Sequence, residues 1–231
     1  MITIDKYLNN PTKTLHCTFN QYKTRASRRN EVIVPQDKFN ENDYHDYFDT
    51  TIVRMKHDLN SLTSSKMSRG LSFITFTEDV YEDEKKFFVD DFYFLLKEIF
   101  GVSDEEFSQI TKKIKDNDYS SELCFILYIN RHSKKAQQKR LRYPVGVCYA
   151  TMDQMIGEAT IDKFGILPEF RNKGYGKIIL QELLLRLANL DAKFITVALP
   201  CYEDQILERL FHSCGFTDDY VWHILKKNTL F

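Results

Sequence analysis

The stretch of this chain best equipped for chemistry is Ile166-Leu-Pro168-Glu-Phe-Arg171-Asn-Lys-Gly174-Tyr-Gly176-Lys177. It follows an apolar run with strand character and precedes Ile179, Leu180, Leu183, Leu184 and Leu187, which recur at helical spacing. Two glycines in a strand-to-helix turn let main-chain amides approach a ligand. The first helical turn beyond them leaves N–H groups unpaired at the positive end of the helix dipole. Such a turn binds anions and suits a pyrophosphate, with Arg171 and Lys177 adding positive charge at its edges. Other phosphate loops fit less well. A dinucleotide fingerprint needs a third glycine where Ile179 stands. A P-loop needs Ser or Thr where Ile178 stands, and a glycine where Arg171 stands.

The elements that must position this loop are legible from Leu71 onward. Leu71 to Phe76 reads as a strand. Asp79 to Phe100 reads as a helix with Phe87, Phe88, Phe92, Leu95, Leu96 and Ile99 on one side. Gly101 ends it, and Ser103 opens another helix with Glu106 at the capping position. Leu123 to Ile129, Val145 to Thr151 and about Ile156 to Leu167 read as strands. The first two flank the basic segment Arg131 to Arg142, and Met152 to Gln154 turns the chain into the third. After the loop come a helix to about Leu190, a strand Phe194 to Leu199, a helix Glu203 to His212 and a strand near Val221 to Leu225. Tight antiparallel connections early and helical crossovers late imply an α/β domain with a mixed, mostly antiparallel central sheet flanked by helices. Residues 1–66 read as a polar N-terminal extension, and 67–231 as the domain proper. Within the extension, Glu31 to Val34 can form a strand stopped by Pro35. Phe48, Ile52, Met55 and Leu59 suggest a helix over Tyr44 to Leu59, and Asn60 to Gly70 looks like a linker.

Composition narrows the class. With 231 residues, 43% of them hydrophobic, the chain can bury a substantial core, and its net charge of -1 argues against nucleic acid or an anionic membrane as a global partner. The basic segment 131–142 lacks interleaved aromatics for base stacking and reads as a solvated hairpin loop. No apolar run approaches the roughly 20 residues that span a bilayer, and the N-terminus lacks a signal peptide's apolar stretch. Five widely spaced cysteines with no C-x-x-C pair suggest reduced, buried thiols. The expected setting is the cytoplasm. The six histidines lack metal-ligand spacing, and no metal site is expected.

The loop and its flanks resemble the GNAT superfamily of acetyltransferases, whose coenzyme loop reads Arg/Gln-x-x-Gly-x-Gly/Ala. Here it is Arg171-Asn-Lys-Gly174-Tyr-Gly176, preceded by Ile166-Leu-Pro168-Glu-Phe170 where the family has Val-x-Pro-Glu-Tyr. Leu210-Phe-His-Ser-Cys-Gly215-Phe216 is similar to the family's closing Leu-Tyr-Glu-Lys-Leu-Gly-Phe, and the order of elements from Leu71 to the C-terminus agrees as well.

The resemblance implies the GNAT-like acyl-CoA N-acyltransferase fold, with acetyl-CoA as donor and an amine as acceptor. The pyrophosphate would lie on the amides of Arg171, Asn172, Lys173, Gly174, Tyr175, Gly176 and Lys177, and the pantetheine would pair with the backbone of Phe164, Gly165 and Ile166. Transfer from thioester to amine would be direct, needing a base for the amine and a donor for the thiolate. Asp162 falls where many members carry a Glu and is the favoured base. Glu158 comes second, because even spacing puts Glu158, Thr160 and Asp162 on one strand face. The family's usual Tyr acid is replaced by Phe211 and a frequent Asn by Asp204, so Tyr202 and Tyr175 become the acid candidates by sequence proximity. These departures keep a second reading open, a non-catalytic acyl-CoA-binding sensor or scaffold. The N-terminal extension could cap the acceptor cleft, make a homodimer contact or pack on the sheet.

Overall fold

The computed structural model describes residues 31–44, 47–60, 62, 70–76, 82–115, 120–130, 142–200 and 206–227. Eight strands and five α-helices, one of them a single turn, make up these residues in an α/β arrangement with a mixed, mostly antiparallel sheet, the class read from the sequence. The chain divides into two compact units, one of 58–153 and 158–195, the other of 1–57, 154–157 and 196–231.

The first unit carries the candidate site. Strands β3 (Leu71–Thr75), β4 (Cys124–Asn130), β5 (Arg142–Asp153) and β6 (Glu158–Ile166) pair in that order, each antiparallel to the next. Helices α1 (Glu82–Phe100) and α2 (Asp104–Lys115), with the single turn α3 (Ser120–Leu123), connect β3 to β4. Phe88, Phe92, Leu95 and Leu96 of α1 pack with Ile110 and Ile114 of α2 onto Cys124, Ile126, Tyr128, Val147 and Tyr149. These strand residues alternate, as one face of a sheet requires. Phe87 departs from the expected stripe: it is 60% exposed, because four aromatic or aliphatic side chains per two turns already fill the buried arc. Ser103 caps α2 as its spacing suggests, its Oγ accepting from Glu106 N–H at 3.2 Å.

The opposite face of the same strands is covered by α4 (Tyr175–Asn189), whose Ile179, Leu180, Leu183, Leu184 and Leu187 are all buried. Gly146 marks the close approach. A Cβ there would come within 2.4 Å of Ile166 Cδ1 and 2.8 Å of Ile179 Cδ1, so a larger residue would have to displace both side chains. The turn between β5 and β6 runs through Gln154–Gly157, a little later than Met152–Gln154, and Gly157 takes the left-handed φ of 70° that closes it.

In the second unit β1 (Glu31–Pro35) and β2 (Tyr47–His57) flank β8 (Thr217–Lys227), both antiparallel to it. The helix expected over Tyr44 to Leu59 is therefore a strand. Its Ile52, Val53, Arg54 and Met55 are consecutive and all buried, which a strand covered on both faces allows and a surface helix does not. Helical spacing of four apolar residues was outweighed by the β-branched run Thr50-Thr51-Ile52-Val53 and a distant partner strand. Helix α5 (Ile206–Ser213) precedes β8, and β7 spans Phe194–Pro200. The proposed linker falls largely on residues outside the described set, as does the basic segment up to Leu141.

Candidate functional site

The loop takes its shape from local chemistry. Beyond β6, Leu167 N–H extends the ladder by donating to Val145 O at 3.0 Å. Pro168–Phe170 then form one 3-10 turn, closed by Phe170 N–H to Leu167 O at 2.9 Å and Arg171 N–H to Pro168 O at 3.2 Å. Asn172 and Gly174 follow in left-handed backbone, at φ 60° and 83°, before Tyr175 opens α4. A side chain with a Cβ pays for that conformation, and Asn and Gly are the residues that adopt it most readily.

No side chain caps α4 at Gly174. Its hydrogen-bond ladder starts with Ile178 N–H to Gly174 O at 3.3 Å, so the amides of Tyr175, Gly176 and Lys177 stand ahead of it. Two cations just before these amides in sequence are tied back to main-chain carbonyls. Arg171 Nε donates to Ile166 O at 3.1 Å, and Lys173 Nζ to Glu169 O at 2.8 Å while lying 5.1 Å from the Phe170 ring centroid. Arg171, Asn172, Lys173, Gly174 and Lys177 are exposed, and Tyr175 is half-buried beside Phe170. Amides, dipole and cations together suit a multiply charged anion.

The strand leading into the loop is irregular at one place. Tyr149 pairs with Lys163 and the next residue, Ala150, with Ile161, so Asp162 is an extra residue on β6. Such a bulge interrupts the alternation of side chains. Its effect is direct: Asp162 and Lys163, neighbours in sequence, reach the same face. Thr151 Oγ1 donates to Asp162 Oδ2 at 3.1 Å. Lys163 Nζ sits 3.2 Å from Glu106 of α2 and 5.2 Å from the Phe100 ring centroid of α1. Gly165 belongs to this face too, since a Cβ there would meet Ile99 Cγ2 at 2.5 Å and Phe100 Cζ at 2.9 Å. The end of α1 is thus laid against β6 just before the loop.

Of the residues expected to share a face, Thr160 stands opposite Thr151 and near exposed Asp162, whereas Glu158 is 6% exposed opposite Asp153. Phe164 is half-buried, and Gly165 and Ile166 are buried. Tyr202, Asp204 and Cys201 lie outside the described residues. Phe211 is wholly buried and meets Phe216 edge-on at 4.9 Å between ring centroids, a packing role. Burial pushes the Cys124 and Cys148 thiols up, away from the thiolate a nucleophile requires.

Tyr149, Thr151 and Lys163 were not among the expected site residues, and Glu106 was expected only at a helix start. The only local signal was the two-residue spacing of Tyr149 and Thr151 on a strand, and no spacing announces a bulge on the neighbouring strand. Two histidines also have partners that went unread. His223 Nδ1 lies 2.7 Å from Asp49 and its Nε2 2.6 Å from Gln36. His212 lies between Glu208 and Asp218, three groups whose ligand atoms fall within 4.8 Å of one another, all in the second unit.

Residues 78–216 match the model of the acetyltransferase (GNAT) family. Among solved structures, the chain is similar to a GCN5-related N-acetyltransferase from Sphaerobacter thermophilus, with a TM-score of 0.65 at 15% identity, over 84% of this chain and 58% of that one. It is similar to a GNAT-family acetyltransferase from Colwellia psychrerythraea, with a TM-score of 0.57 at 12% identity, over 85% and 65% of the two chains. A conserved protein of unknown function from Staphylococcus epidermidis aligns over 99% of this chain and 82% of its own, with a TM-score of 0.53 at 14% identity. At such identities the likeness concerns the fold. This chain spans little more than half of the Sphaerobacter structure. No curated protein matches the sequence. Among the described residues, no helix is long and apolar enough to cross a membrane.

Proposed function

Because the chain belongs to the acetyltransferase (GNAT) family, we propose that it transfers the acetyl group of acetyl-CoA directly to a primary amine of a small molecule or peptide. The observation that carries the donor half is the uncapped start of α4. There the left-handed Gly174 leads into the amides of Tyr175, Gly176 and Lys177, which stand ahead of the helix ladder, with Arg171 and Lys173 just before them in sequence. The diphosphate of the coenzyme is an anion of the right charge for that nest. The pantetheine arm then follows the backbone of Phe164, Gly165 and Ile166 toward the bulge.

The acceptor half rests on Asp162. An ammonium has no lone pair, so the base takes one N–H proton before the nitrogen attacks the thioester carbonyl. The new C–N bond forms as the C–S bond breaks, giving an amide and a thiolate that takes up a proton. Asp162 is exposed and held by Thr151, which fixes the carboxylate without burying it. Glu158, at 6% exposure, is poorly placed to receive a proton from a substrate, and Asp162 is preferred over it. Tyr175 remains a candidate donor to the thiolate, and so does Tyr202.

The test is release of free CoA when acetyl-CoA meets a panel of primary amines, with calorimetry of CoA binding alongside. Calorimetry that finds no affinity for CoA would overturn the assignment. A second reading, an acyl-CoA-binding module without turnover, draws on the burial of Phe211 at the position where the resemblance places a tyrosine. Tight CoA binding with no transfer to any amine would decide for it.

A further inference from the structure

The turn that ends α5 builds a second cluster, in the unit that does not carry the candidate loop. Gly215 takes a left-handed φ of 94°. Phe216 N–H donates to Phe211 O at 3.1 Å and Gly215 N–H to His212 O at 3.0 Å. These two bonds close the helix and lead the chain into β8.

The same turn leaves the Phe216 carbonyl 3.0 Å from His212 Nδ1. A carbonyl only accepts, so Nδ1 carries the proton and, in the neutral ring, Nε2 is a bare lone pair. That lone pair faces oxygen: Nε2 lies 3.2 Å from Asp218 Oδ1 and 3.8 Å from Glu208 Oε1. The ligand atoms of all three residues fall within 4.8 Å of one another. Glu208 and His212 stand one helical turn apart on α5, and β8 supplies Asp218 from beyond the turn. Three acceptors with no donor among them repel, and the carbonyl end of α5 adds to the negative potential. A cation at their centre removes the conflict.

We propose that Glu208, His212 and Asp218 bind a zinc ion that ties the end of α5 to the start of β8. Tetrahedral zinc, with bonds of about 2.0–2.2 Å, holds its ligand atoms about 3.3–3.6 Å apart. The separations of 3.2 Å and 3.8 Å bracket that spacing. An imidazole with two carboxylates is a donor set zinc accepts. The Nδ1–H contact to a main-chain carbonyl is the support a ligating histidine usually has. Two carboxylates also balance the charge of the ion. The His212 and Asp218 side chains are 42% and 55% exposed, so the ion enters from solvent and water takes the fourth position.

The proposal is independent of the acyl-transfer reading. Its test uses Zn²⁺ alone, titrated calorimetrically into the full chain after chelator treatment and dialysis. The expected result is one ion whose affinity falls about 100-fold in His212→Ala and about tenfold in Glu208→Gln and Asp218→Asn. Zn²⁺ should raise the thermal midpoint of the wild type and leave that of His212→Ala unchanged. Asp218→Asn, the most exposed position of the three, carries the comparison if His212→Ala does not fold. No binding to the wild type would leave a proton as the occupant and overturn the proposal. Equal affinity in wild type and variants would overturn it too, as would a loss in His212→Ala that neither carboxylate variant shares.

Discussion

The loop Arg171–Lys177 and the strand face around Asp162 belong to one strand-turn-helix run, but they are built from different material. The loop works through its main chain. Its amides, its left-handed steps at Asn172 and Gly174 and its nearby cations are set within a dozen residues of each other. The face works through side chains, and their direction depends on how β6 is registered against β5. One extra residue puts Asp162 on the face of Lys163, which reaches Glu106 of α2 and Phe100 of α1, where strict alternation would have sent the two apart. Main-chain sites can be written locally, whereas side-chain sites wait for a neighbouring strand.

If that division holds, the two regions fail separately. Asp162→Asn should slow acetyl transfer by about 100-fold while CoA binds as before, the magnitude expected for a lost general base. A matching loss of CoA affinity would show that the face and the loop are not separable. Gly165→Ala should destabilise the chain by about 1–3 kcal/mol, since the added methyl meets Ile99 and Phe100. Thermal denaturation reads it, and Ile99→Ala in the same chain should recover part of the loss. No recovery would mean that the end of α1 does not rest on β6.

Gly174→Val probes the loop alone. A Cβ at Gly174 finds nothing within 4 Å, so the cost is that of forcing a branched residue to φ 83°. That strain, about 1–2 kcal/mol, should weaken CoA binding by about 5- to 30-fold in calorimetry. Unchanged affinity would remove the loop from the coenzyme site. Smallest is Glu106→Gln, which breaks a pair that is largely open to water and should shift stability by less than about 1 kcal/mol. Its sharper readout is acceptor KM, which should rise as Lys163, released from Glu106, competes for Asp162.

Much of the fold was legible because its signals were dense and local. Pro168, the two glycines and the five-leucine-or-isoleucine stripe of α4 announced a turn and a helix, and Ser103 with Glu106 announced another start. The misread segment, Tyr47–His57, had the opposite character. Its apolar spacing suits a helix, and only pairing with β8 on one side of a buried sheet makes a strand of it. Phe87 joined a helical stripe on paper but remains in solvent.

The residues alone therefore settled the elements around the loop, the presence of its turn and the family to which the motif points. Capping, glycine geometry and amphipathic period operate over a few neighbours. Tertiary structure decided which side chains stand beside Asp162 and that Glu158 is buried. Each of those outcomes is a matter of register or of packing between segments far apart in the chain, and no window of sequence contains both partners.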